Sequence, residues 1–469
     1  MQSRFCFYPL FAIFAHPTIT MTGMKKYLSV IFALLIAIAA NAAIIGKWTG
    51  QLEVQGIRLP LVFHFQQQAG QDSLPQCVLD SPAQNAFGLS AEVDYCSSDS
   101  VAIQIPTIGM KFSGKITGDT ITGIFRQGFQ RLPLTLIHQE KPQPGKPTVK
   151  PYSESEVTIL TPDSILLSGT LTLPDGASAA KPVPVAVLVS GSGPQNRDEE
   201  LFGLKPFAIL ADSLARAGIA TLRYDDRGTA RSGGDFASAT TATFAADAAA
   251  ALDYARKLET TATTGIIGHS EGGLIAFMLG AAGKADFIVS LAGPGMPGID
   301  VLTAQNVRSM QRAGISETEA KRLSTVIRAA LSEAAKSGIM PDADSIASQN
   351  GITMPETLAT ELRKQKGSPV GKWMQEFLKT SPADYIGSIS CPALALNGSL
   401  DTQVEAGTNI EAIRRANPLI QTHILQGLNH LFQKAATGDV TEYSILGDPF
   451  SDATIPAIIS FIRSVVSTH

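Results

Sequence analysis

The segment Gly268–Gly272 reads Gly-His-Ser-Glu-Gly and lies between an apolar run, residues 264–267, and a helix-like run, residues 273–282. A G-x-S-x-G pattern in this setting predicts a serine on a tight turn from a strand into a helix, with its hydroxyl exposed at the end of a sheet. Glycines beside the turn avoid the Cβ clashes of a strained backbone. The pattern indicates nucleophilic chemistry at Ser270, with the helix N-terminus offering N–H groups to a developing negative charge.

A serine hydroxyl is a weak nucleophile at neutral pH, so it needs a base and a carboxylate that orients the base. His430 is our candidate base because it follows the last predicted strand, at the sheet edge where the serine also lies. The chain has seven histidines, and the other six lie in less suitable places: His16, His64, His138, His269, His423 and His469. Asp401 follows the preceding strand, which gives the expected chain order of serine, aspartate and histidine. Glu405 is the alternative carboxylate, and we expect it to be exposed.

An oxyanion hole needs two backbone donors. We predict the N–H of Glu271, directly after the serine, as one of them. The other donor is expected in the loop Ser190–Pro194, where two glycines let the backbone approach a substrate closely. Ser192 is the first choice in this loop and Gly193 the second. The polar clusters 196–198 and 224–228 are interpreted as Arg–carboxylate networks that hold loops, without a role in the chemistry.

The elements that must position these residues follow a strand–helix alternation from about Tyr152 onward, which predicts a mostly parallel sheet with helices on both faces. Predicted strands cover residues 183–189, 219–223, 265–267, 287–291, 393–396 and 419–425, and predicted helices cover 207–217, 243–258, 273–282 and 455–466. The rhythm stops over about 298–385, where charged and apolar residues interleave as in amphipathic helices. We expect this segment to be a helical cap over the serine.

The remaining chain divides into three further parts. Residues 1–42 are predicted to be a leader with a signal peptide, because two lysines precede an apolar stretch that ends in Ala-Asn-Ala. Residues 43–140 show the period-2 alternation of an all-β barrel or sandwich. Residues 141–151 form a linker rich in Pro and Lys, and the α/β domain occupies 152–469. We therefore expect an exported protein, periplasmic or extracellular, without a stable membrane span.

Composition excludes some classes of function. The 469 residues carry a formal net charge of −4 and no basic stripe, which argues against nucleic-acid binding. No Cys/His cluster has the spacing of metal ligands. Cys77 and Cys96 lie on neighbouring predicted strands, and a disulfide and two buried thiols are equally good interpretations. The sequence indicates no oligomeric state.

The motifs together resemble the α/β-hydrolase superfamily over about residues 152–469. Within it, Gly191–Pro194, Asp225–Gly228, His269–Gly273 and the pair of Asp401 and His430 are similar to bacterial exported esterases related to the serine aminopeptidase (S33-like) group. Ala230-Arg231-Ser232 stands where such proteins usually carry Gly-x-Ser. The β domain resembles the small lipocalin-like modules that precede such hydrolases. The resemblance implies hydrolysis of esters, thioesters or amides without a metal or cofactor.

These observations lead to three functional hypotheses. The first is a carboxylic ester hydrolase that acts on small-molecule or carbohydrate-linked esters through an acyl-enzyme intermediate. The second is a serine aminopeptidase, which would need carboxylates under the cap to bind a free amine; Glu317, Glu319 and Glu333 are available, although their helical setting predicts exposure. The third is a binding protein without catalytic activity.

Overall fold

The computed structural model describes the chain over residues 44–54, 57–66, 74–81, 86–139, 150–201, 203–443, 446–450 and 453–467. The chain divides into two compact units, Met1–Gly145 and Lys146–His469. The predicted leader, most of the predicted linker and the terminal His469 lie outside the described residues.

The first unit contains, within its described residues, eight antiparallel strands that close into a barrel. The strands are β1 (Gly46–Val54), β2 (Ile57–Gln66), β3 (Gln76–Ser81), β4 (Ala86–Cys96), β5 (Ser100–Ile105), β6 (Met110–Thr117), β7 (Thr120–Gln127) and β8 (Gln130–Gln139). Each strand pairs with the next along the chain, and β8 pairs back with β1. Trp48, Phe63 and Phe112 are fully buried in its core. The all-β prediction is confirmed, and an up-and-down barrel replaces the open choice between barrel and sandwich.

Cys77 and Cys96 are free thiols in this structure. Cys77 on β3 stands opposite Ala91 on β4, five residues before Cys96. Five strand residues span about 17 Å, whereas the Cα atoms of a disulfide lie within about 7 Å. Burial raises the pKa of the Cys77 thiol, which keeps it protonated and unreactive. The structure therefore favours the interpretation of two free thiols.

The second unit contains, in its described part, an eight-stranded sheet with the order β16-β15-β14-β13-β11-β12-β10-β9. Its strands are β9 (Tyr152–Leu160), β10 (Leu166–Pro174), β11 (Val183–Val189), β12 (Ala220–Tyr224), β13 (Thr261–His269), β14 (Phe287–Leu291), β15 (Ala393–Gly398) and β16 (Gln421–Leu425). Strands β11 to β16 run parallel, and β9 and β10 add an antiparallel edge. The prediction of a mostly parallel sheet is confirmed.

The helices of this unit are α1 (Pro206–Arg216), α2 (Thr241–Arg256), α3 (Glu271–Ala281), α4 (Gly298–Arg312), α5 (Glu317–Ser337), α6 (Ala343–Gln349), α7 (Glu356–Gln365), α8 (Lys372–Lys379), α9 (Ala383–Ile386), α10 (Ala406–Ala416) and α11 (Thr454–Val466). Side chains of β11 alternate between two cores. Val187 packs in the core that α2, α3 and α10 cover, while Leu188 packs in the core that α1 and α11 cover. The all-apolar sequence of β11 follows from this burial on both faces.

Helices α4 to α9 lie between β14 and β15 and form one insertion, residues 298–386, called here the helical insertion. Its helices pack on one another through apolar stripes, with Met310 of α4 against Leu323 and Ile327 of α5. Helix α5 begins at a Ser316 cap and ends at Gly338, whose φ of 73° is the usual left-handed helix stop. The amphipathic pattern therefore predicted helices in the right place.

In the part of the chain that the structure describes, no helix combines the length and apolarity needed to cross a bilayer.

Candidate active site

Ser270 lies on a sharp bend between β13 and α3, with a backbone φ of 54° and ψ of −116°. Its N–H donates a hydrogen bond of 2.8 Å to the carbonyl of Leu291, which ties the bend to β14. A side chain at Gly268 would overlap the backbone of Gly272, and one at Gly272 would overlap the carbonyl of Val189. Both glycines of the motif are thus required by close backbone contact. The bend leaves Ser270 directly ahead of a helix N-terminus.

His430 and Asp401 meet at the carboxyl edge of the sheet. The Nδ1 atom of His430 lies 2.7 Å from Asp401 Oδ2, and both side chains are buried. The other oxygen, Oδ1, accepts the N–H groups of Gln403 and Val404, each at 2.8 Å. These bonds fix the carboxyl group and therefore the orientation of the imidazole. Glu405, the alternative carboxylate, instead caps the start of α10.

The loop that carries His430 is held by a buried amide that the sequence analysis did not identify. Asn429 is fully buried, and its Oδ1 accepts the N–H groups of Leu431 and Gln433 at 3.0 and 2.9 Å. Its Nδ2 donates to the Gln433 side chain at 2.9 Å. The fold of this short loop therefore depends on Asn429, the residue directly before the histidine.

Ser270 and His430 line the same cavity, which has a volume of about 220 Å³. The helical insertion forms one wall of this cavity, through Val301, Leu302, Gln305, Trp373 and Phe377. The sheet side contributes Gly191, Ser192, Gln195, Glu199, Leu201, His269, Glu271, Pro294, Gln403, Val404 and Leu431. The rings of Trp373 and Phe377 stack on each other at a centroid distance of 5.3 Å, so a pair of aromatic side chains forms part of this wall. The cavity therefore joins the candidate nucleophile and base with an apolar surface from the insertion.

The candidate oxyanion donors lie on two sides of Ser270. Within the described residues, the N–H groups of Glu271 and Ser192 donate no hydrogen bond to the protein. The N–H of Gly191, by contrast, donates to the Glu199 side chain at 2.7 Å. Gly193 adopts a φ of 100°, a backbone conformation that glycine tolerates best. This loop therefore leaves the Ser192 N–H available while its Gly191 N–H is engaged.

The buried carboxyl group of Asp226 holds the loop Ser190–Pro194 in place. Asp226 accepts the Ser190 hydroxyl at 3.1 Å and the Gln195 N–H at 3.0 Å, at the two ends of the loop. Burial, reinforced by the nearby Glu199 and Glu271, raises the pKa of Asp226 to about 8 against the effect of its hydrogen bonds. Asp226 belongs to the polar cluster 224–228, for which an Arg–carboxylate network was predicted, but its partners are the Ser190 hydroxyl and the Gln195 N–H.

His269 occupies a position that the sequence analysis set aside. The residue is buried, its Nδ1 lies 2.8 Å from Glu199 Oε1, and its Nε2 donates to the His430 carbonyl at 3.0 Å. Burial favours the neutral ring, but the charge and hydrogen bond of Glu199 outweigh that effect, so the pKa of His269 lies above its ordinary value. Glu199 is also buried, with a left-handed φ of 51°. Its position in a polar run gave no signal of this contact.

The predicted Arg–carboxylate networks are present. The Arg197 guanidinium donates to Asp225 at 2.8 and 3.0 Å, and Arg227 donates to Asp247 and Asp163. All these bonds connect loops and strands beside the site, and none of these five residues lines the cavity. Among the described residues, no group of His, Cys, Asp and Glu side chains is arranged to hold a metal ion.

Comparison with known proteins gives matches to hydrolases. The family model described as serine aminopeptidase, S33, matches residues 205–434. The chain is 26% identical over 284 residues to esterase EstD of Thermotoga maritima, and this match spans 60% of each protein. The chain thus covers about 60% of the length of that curated relative.

Similar solved structures include the Pyrococcus furiosus esterase Pf2001 and Est1E from Butyrivibrio proteoclasticus, the latter with bound ferulic acid. The first has a TM-score of 0.41 at 17% identity and covers 68% of this chain and 93% of its own. The second has a TM-score of 0.41 at 16% identity and covers 66% of this chain and 97% of its own.

The matched region contains the bend at Ser270, the pair of Asp401 and His430, and all of the helical insertion. Its strands run parallel in the order expected for the fold, with the serine between β13 and α3. Residues 205–434 are thus similar to the serine aminopeptidase S33 family, and the second unit has the mostly parallel sheet and the strand–turn–helix bend of the α/β-hydrolase fold, with a closed β-barrel before it in the chain.

Proposed function

We propose that this protein is a serine hydrolase that cleaves carboxylic esters through an acyl-enzyme intermediate on Ser270. The observation that carries the proposal is the 2.7 Å contact between His430 Nδ1 and Asp401 Oδ2, in the cavity that Ser270 also lines. Nδ1 donates to the carboxylate in the neutral ring, which leaves Nε2 of His430 as a proton acceptor. The esterase name of the curated relative supports the same reaction.

In the proposed mechanism, His430 takes the proton of Ser270 while the hydroxyl oxygen attacks the ester carbonyl carbon. The tetrahedral oxyanion accepts hydrogen bonds from the N–H groups of Glu271 and Ser192, with Gly193 as the second choice in that loop. His430 then gives its proton to the leaving alcohol, and the acyl-enzyme forms. Water repeats the cycle and releases the acid. Asp401 holds the imidazole in the required tautomer and stabilises its protonated form.

The cavity supports a short or single-ring acyl group as the part of the substrate bound next to Ser270. Its volume is about 220 Å³, and a cavity of roughly 150 Å³ suffices to bind benzene. Trp373 and Phe377 offer an aromatic wall to such a group. The alcohol part, small or carbohydrate-linked, would extend away from this wall.

The aminopeptidase hypothesis finds less support. Glu317 of α5 is exposed and Glu319 is half-buried, and they pair with Lys321 and Arg322, each at 2.6 Å. None of these side chains lines the cavity, and neither does Glu333. The three glutamates that the aminopeptidase hypothesis named therefore do not bind a free amine in this cavity, whose own carboxyl groups are those of Glu199 and Glu271.

A fluorophosphonate probe tests the enzyme proposal directly. The Ser270 oxygen should displace fluoride from phosphorus and label the wild-type protein, whereas Ser270→Ala should not be labelled. Ser324→Ala, which removes an exposed hydroxyl on α5, serves as the matched control. Equal labelling of all three proteins would contradict the proposal, and absence of label from all three would favour a binding protein. Parallel assays with nitrophenyl acyl esters and amino-acyl anilides then separate esterase from aminopeptidase.

Export is the second part of the proposal. It rests on the sequence of residues 24–42, and it predicts a mature chain that begins at Ala43. Amino-terminal sequencing of the protein from the periplasm or medium checks this. A chain retained in the cytoplasm with residues 24–42 intact would contradict it.

A further inference from the structure

The side chain of Glu271 lies at a junction that the proposed reaction does not use. It is 3% exposed, although it belongs to a residue type that is rarely buried. Its carboxyl group accepts three hydrogen bonds: from Ser192 Oγ at 2.7 Å, from Thr241 Oγ1 at 2.6 Å and from Trp373 Nε1 at 2.8 Å. All three partners donate, so the group acts as an acceptor throughout.

The three donors come from three separate elements. Ser192 belongs to the loop after β11, Thr241 begins α2, and Trp373 lies on α8 of the helical insertion. The backbone N–H groups of Ser192 and Glu271 are also the two proposed oxyanion donors. One carboxyl group therefore connects both donor residues to the wall of the cavity.

Helix α8 is attached to the hydrolase core at a second point. The carboxyl group of Glu376 accepts the backbone N–H of Ala242, at the start of α2, at 2.7 Å. This bond holds α8 without involving Glu271. The two attachments involve different residues, so a mutation can remove either one and leave the other intact.

We propose that Glu271 is a positioning residue that couples the placement of α8 to the geometry of the oxyanion hole, an inference that rests on the proposed function. A buried carboxyl group that loses a donor is unfavourable, and its neighbours rearrange to satisfy it. Movement of α8 away from the core withdraws the indole N–H of Trp373 from Glu271. The carboxyl group then shifts, and with it the Ser192 hydroxyl and the loop that carries the second donor.

Substrate binding would influence this coupling through contacts between the acyl group and the cavity wall. An acyl group that fills the cavity contacts Trp373 and Phe377 and so favours the attached position of α8. A smaller acyl group makes fewer of these contacts. Contacts of the acyl group with Trp373 and Phe377 should then raise kcat as well as lower KM. They do so because they help to position the groups that stabilise the transition state.

The first test removes each of the two attachments of α8 in turn and leaves the other in place. Trp373→Phe keeps an aromatic wall and removes only the N–H donor, so we expect kcat to fall about tenfold with KM nearly unchanged, less than the 10²–10³-fold cost of a lost oxyanion donor. Glu376→Ala removes the other attachment but leaves the bond from Trp373 to Glu271, which still holds α8, so it is the matched control, with kcat expected within about twofold of wild type. Equal losses in the two variants would overturn the proposal.

A double-variant comparison then identifies the mediator. Glu271→Gln should itself lower kcat, and adding Trp373→Phe to it should have no further effect, because the contact is already disturbed. Losses that multiply would mean that Trp373 acts by another route, and would overturn the assignment of Glu271.

The second test does not depend on turnover. The chain has two tryptophans, Trp48 and Trp373, so Trp48→Phe leaves Trp373 as the single emitter. Reaction of Ser270 with a fluorophosphonate, whose phosphoryl oxygen occupies the oxyanion hole, should shift the Trp373 emission. The shift should disappear when Glu271→Gln is added. Labelling without any shift would overturn the coupling alone, whereas failure of the label to attach to Ser270 would overturn the proposed function.

Discussion

Glu199 connects the two sides of the candidate site through one buried carboxyl group. Its Oε1 accepts the Gly191 N–H at 2.7 Å and lies 2.8 Å from His269, whose other ring nitrogen holds the His430 carbonyl. The loop Ser190–Pro194 and the backbone of His430 are therefore both held in place by the pair of Glu199 and His269. Displacement of either by even 1 Å costs about 10²-fold in rate.

We expect Glu199→Ala to lower kcat/KM for a nitrophenyl ester by about tenfold to 10²-fold. Glu199→Gln should recover part of this loss, because an amide oxygen still accepts the Gly191 N–H. The exposed neighbour Glu200, which pairs with Lys205, provides the control: Glu200→Ala should retain wild-type kinetics. Equal kinetics for Glu199→Ala and wild type would show that this pair does not position the site.

Asp226 predicts a pH dependence of stability. Its pKa is raised to about 8 in the folded protein, mainly by burial, from an ordinary value of 3.8. Between these values the folded state binds more protons than the unfolded state, so the contribution of this group to stability falls as pH rises from about 4 to 8. Asp226→Asn cannot ionise and should lose this contribution to the slope.

The measurement is urea unfolding of both proteins at intervals from pH 5 to 9. As pH increases, the free energy of unfolding of Asp226→Asn should rise relative to that of wild type. A difference between the two proteins that stays constant with pH would contradict the assigned pKa.

At this scale the sequence predicted the residues that carry a motif or a position after a strand, namely Ser270, Asp401 and His430. It missed the contact of Glu199 with His269 because the two residues are 70 positions apart, and it missed Asn429 because an asparagine that bonds residues two and four positions on carries no motif. No local sequence pattern identifies a buried carboxyl group that contacts both a loop and a histidine ring 70 residues away. Such contacts depend on how the strands are ordered, which single residues do not encode.

At the scale of elements, Ala230 occupies the place where the resemblance to the S33-like group led us to expect glycine. Its φ of 48° lies in the left-handed region, which costs a non-glycine residue of order 1 kcal/mol. The conformation is kept because the neighbouring Ser232 accepts the Ser168 N–H at 2.9 Å and donates to the Asp225 carbonyl at 2.6 Å. The departure from the family pattern therefore changes local strain while the loop is still tied to β10.

Ala230→Gly should raise the free energy of unfolding by up to about 1 kcal/mol, because glycine adopts this φ without strain. Ala246→Gly, on the exposed face of α2, should lower it by about the same amount. Chemical denaturation of both variants checks the opposite signs. A destabilised Ala230→Gly would mean that the added freedom of the unfolded chain outweighs the relief of strain.

Element bounds followed the sequence closely where burial was uniform. The predicted strands at 183–189 and 287–291 agree with β11 and β14, since central parallel strands are apolar throughout. The predicted helices shift by one or two residues, as expected for helix ends. The antiparallel strands β9 and β10 were not predicted individually, because β9 is a largely exposed edge strand and β10 has Ser, Gly and Thr among its apolar residues.

At the scale of the whole molecule, the two units have separate hydrophobic cores. The barrel core contains Phe112 among residues of the first unit, and the core beneath α1 and α11 contains Phe461 among residues of the second. Truncation of a buried Phe costs about 3–5 kcal/mol in the core that loses it. In the sequence, the boundary between these units appears as a change in the period of apolar residues from two to 3.6. Barrel closure could not be predicted in this way, because it requires the long-range pairing of β1 with β8, which no local pattern shows.

We expect Phe112→Ala to lower the midpoint of one calorimetric transition while ester hydrolysis per folded molecule stays within about twofold of wild type. Phe461→Ala should lower a different transition and reduce the temperature at which activity is lost. Differential scanning calorimetry together with residual-activity curves distinguishes these effects. A single transition that both variants shift alike would contradict independent cores.

The order of the parts along the chain has a consequence for synthesis. The bend at Ser270 is complete once β14 has been made, because Leu291 supplies its backbone partner. Asp401 and His430 come more than a hundred residues later, after the entire helical insertion. In the proposed mechanism, a nascent or truncated polypeptide that stops before His430 has the Ser270 hydroxyl but lacks the base that would deprotonate it. On that proposal, hydrolytic activity would switch on only after the whole helical insertion and the loop after β16 have been synthesised.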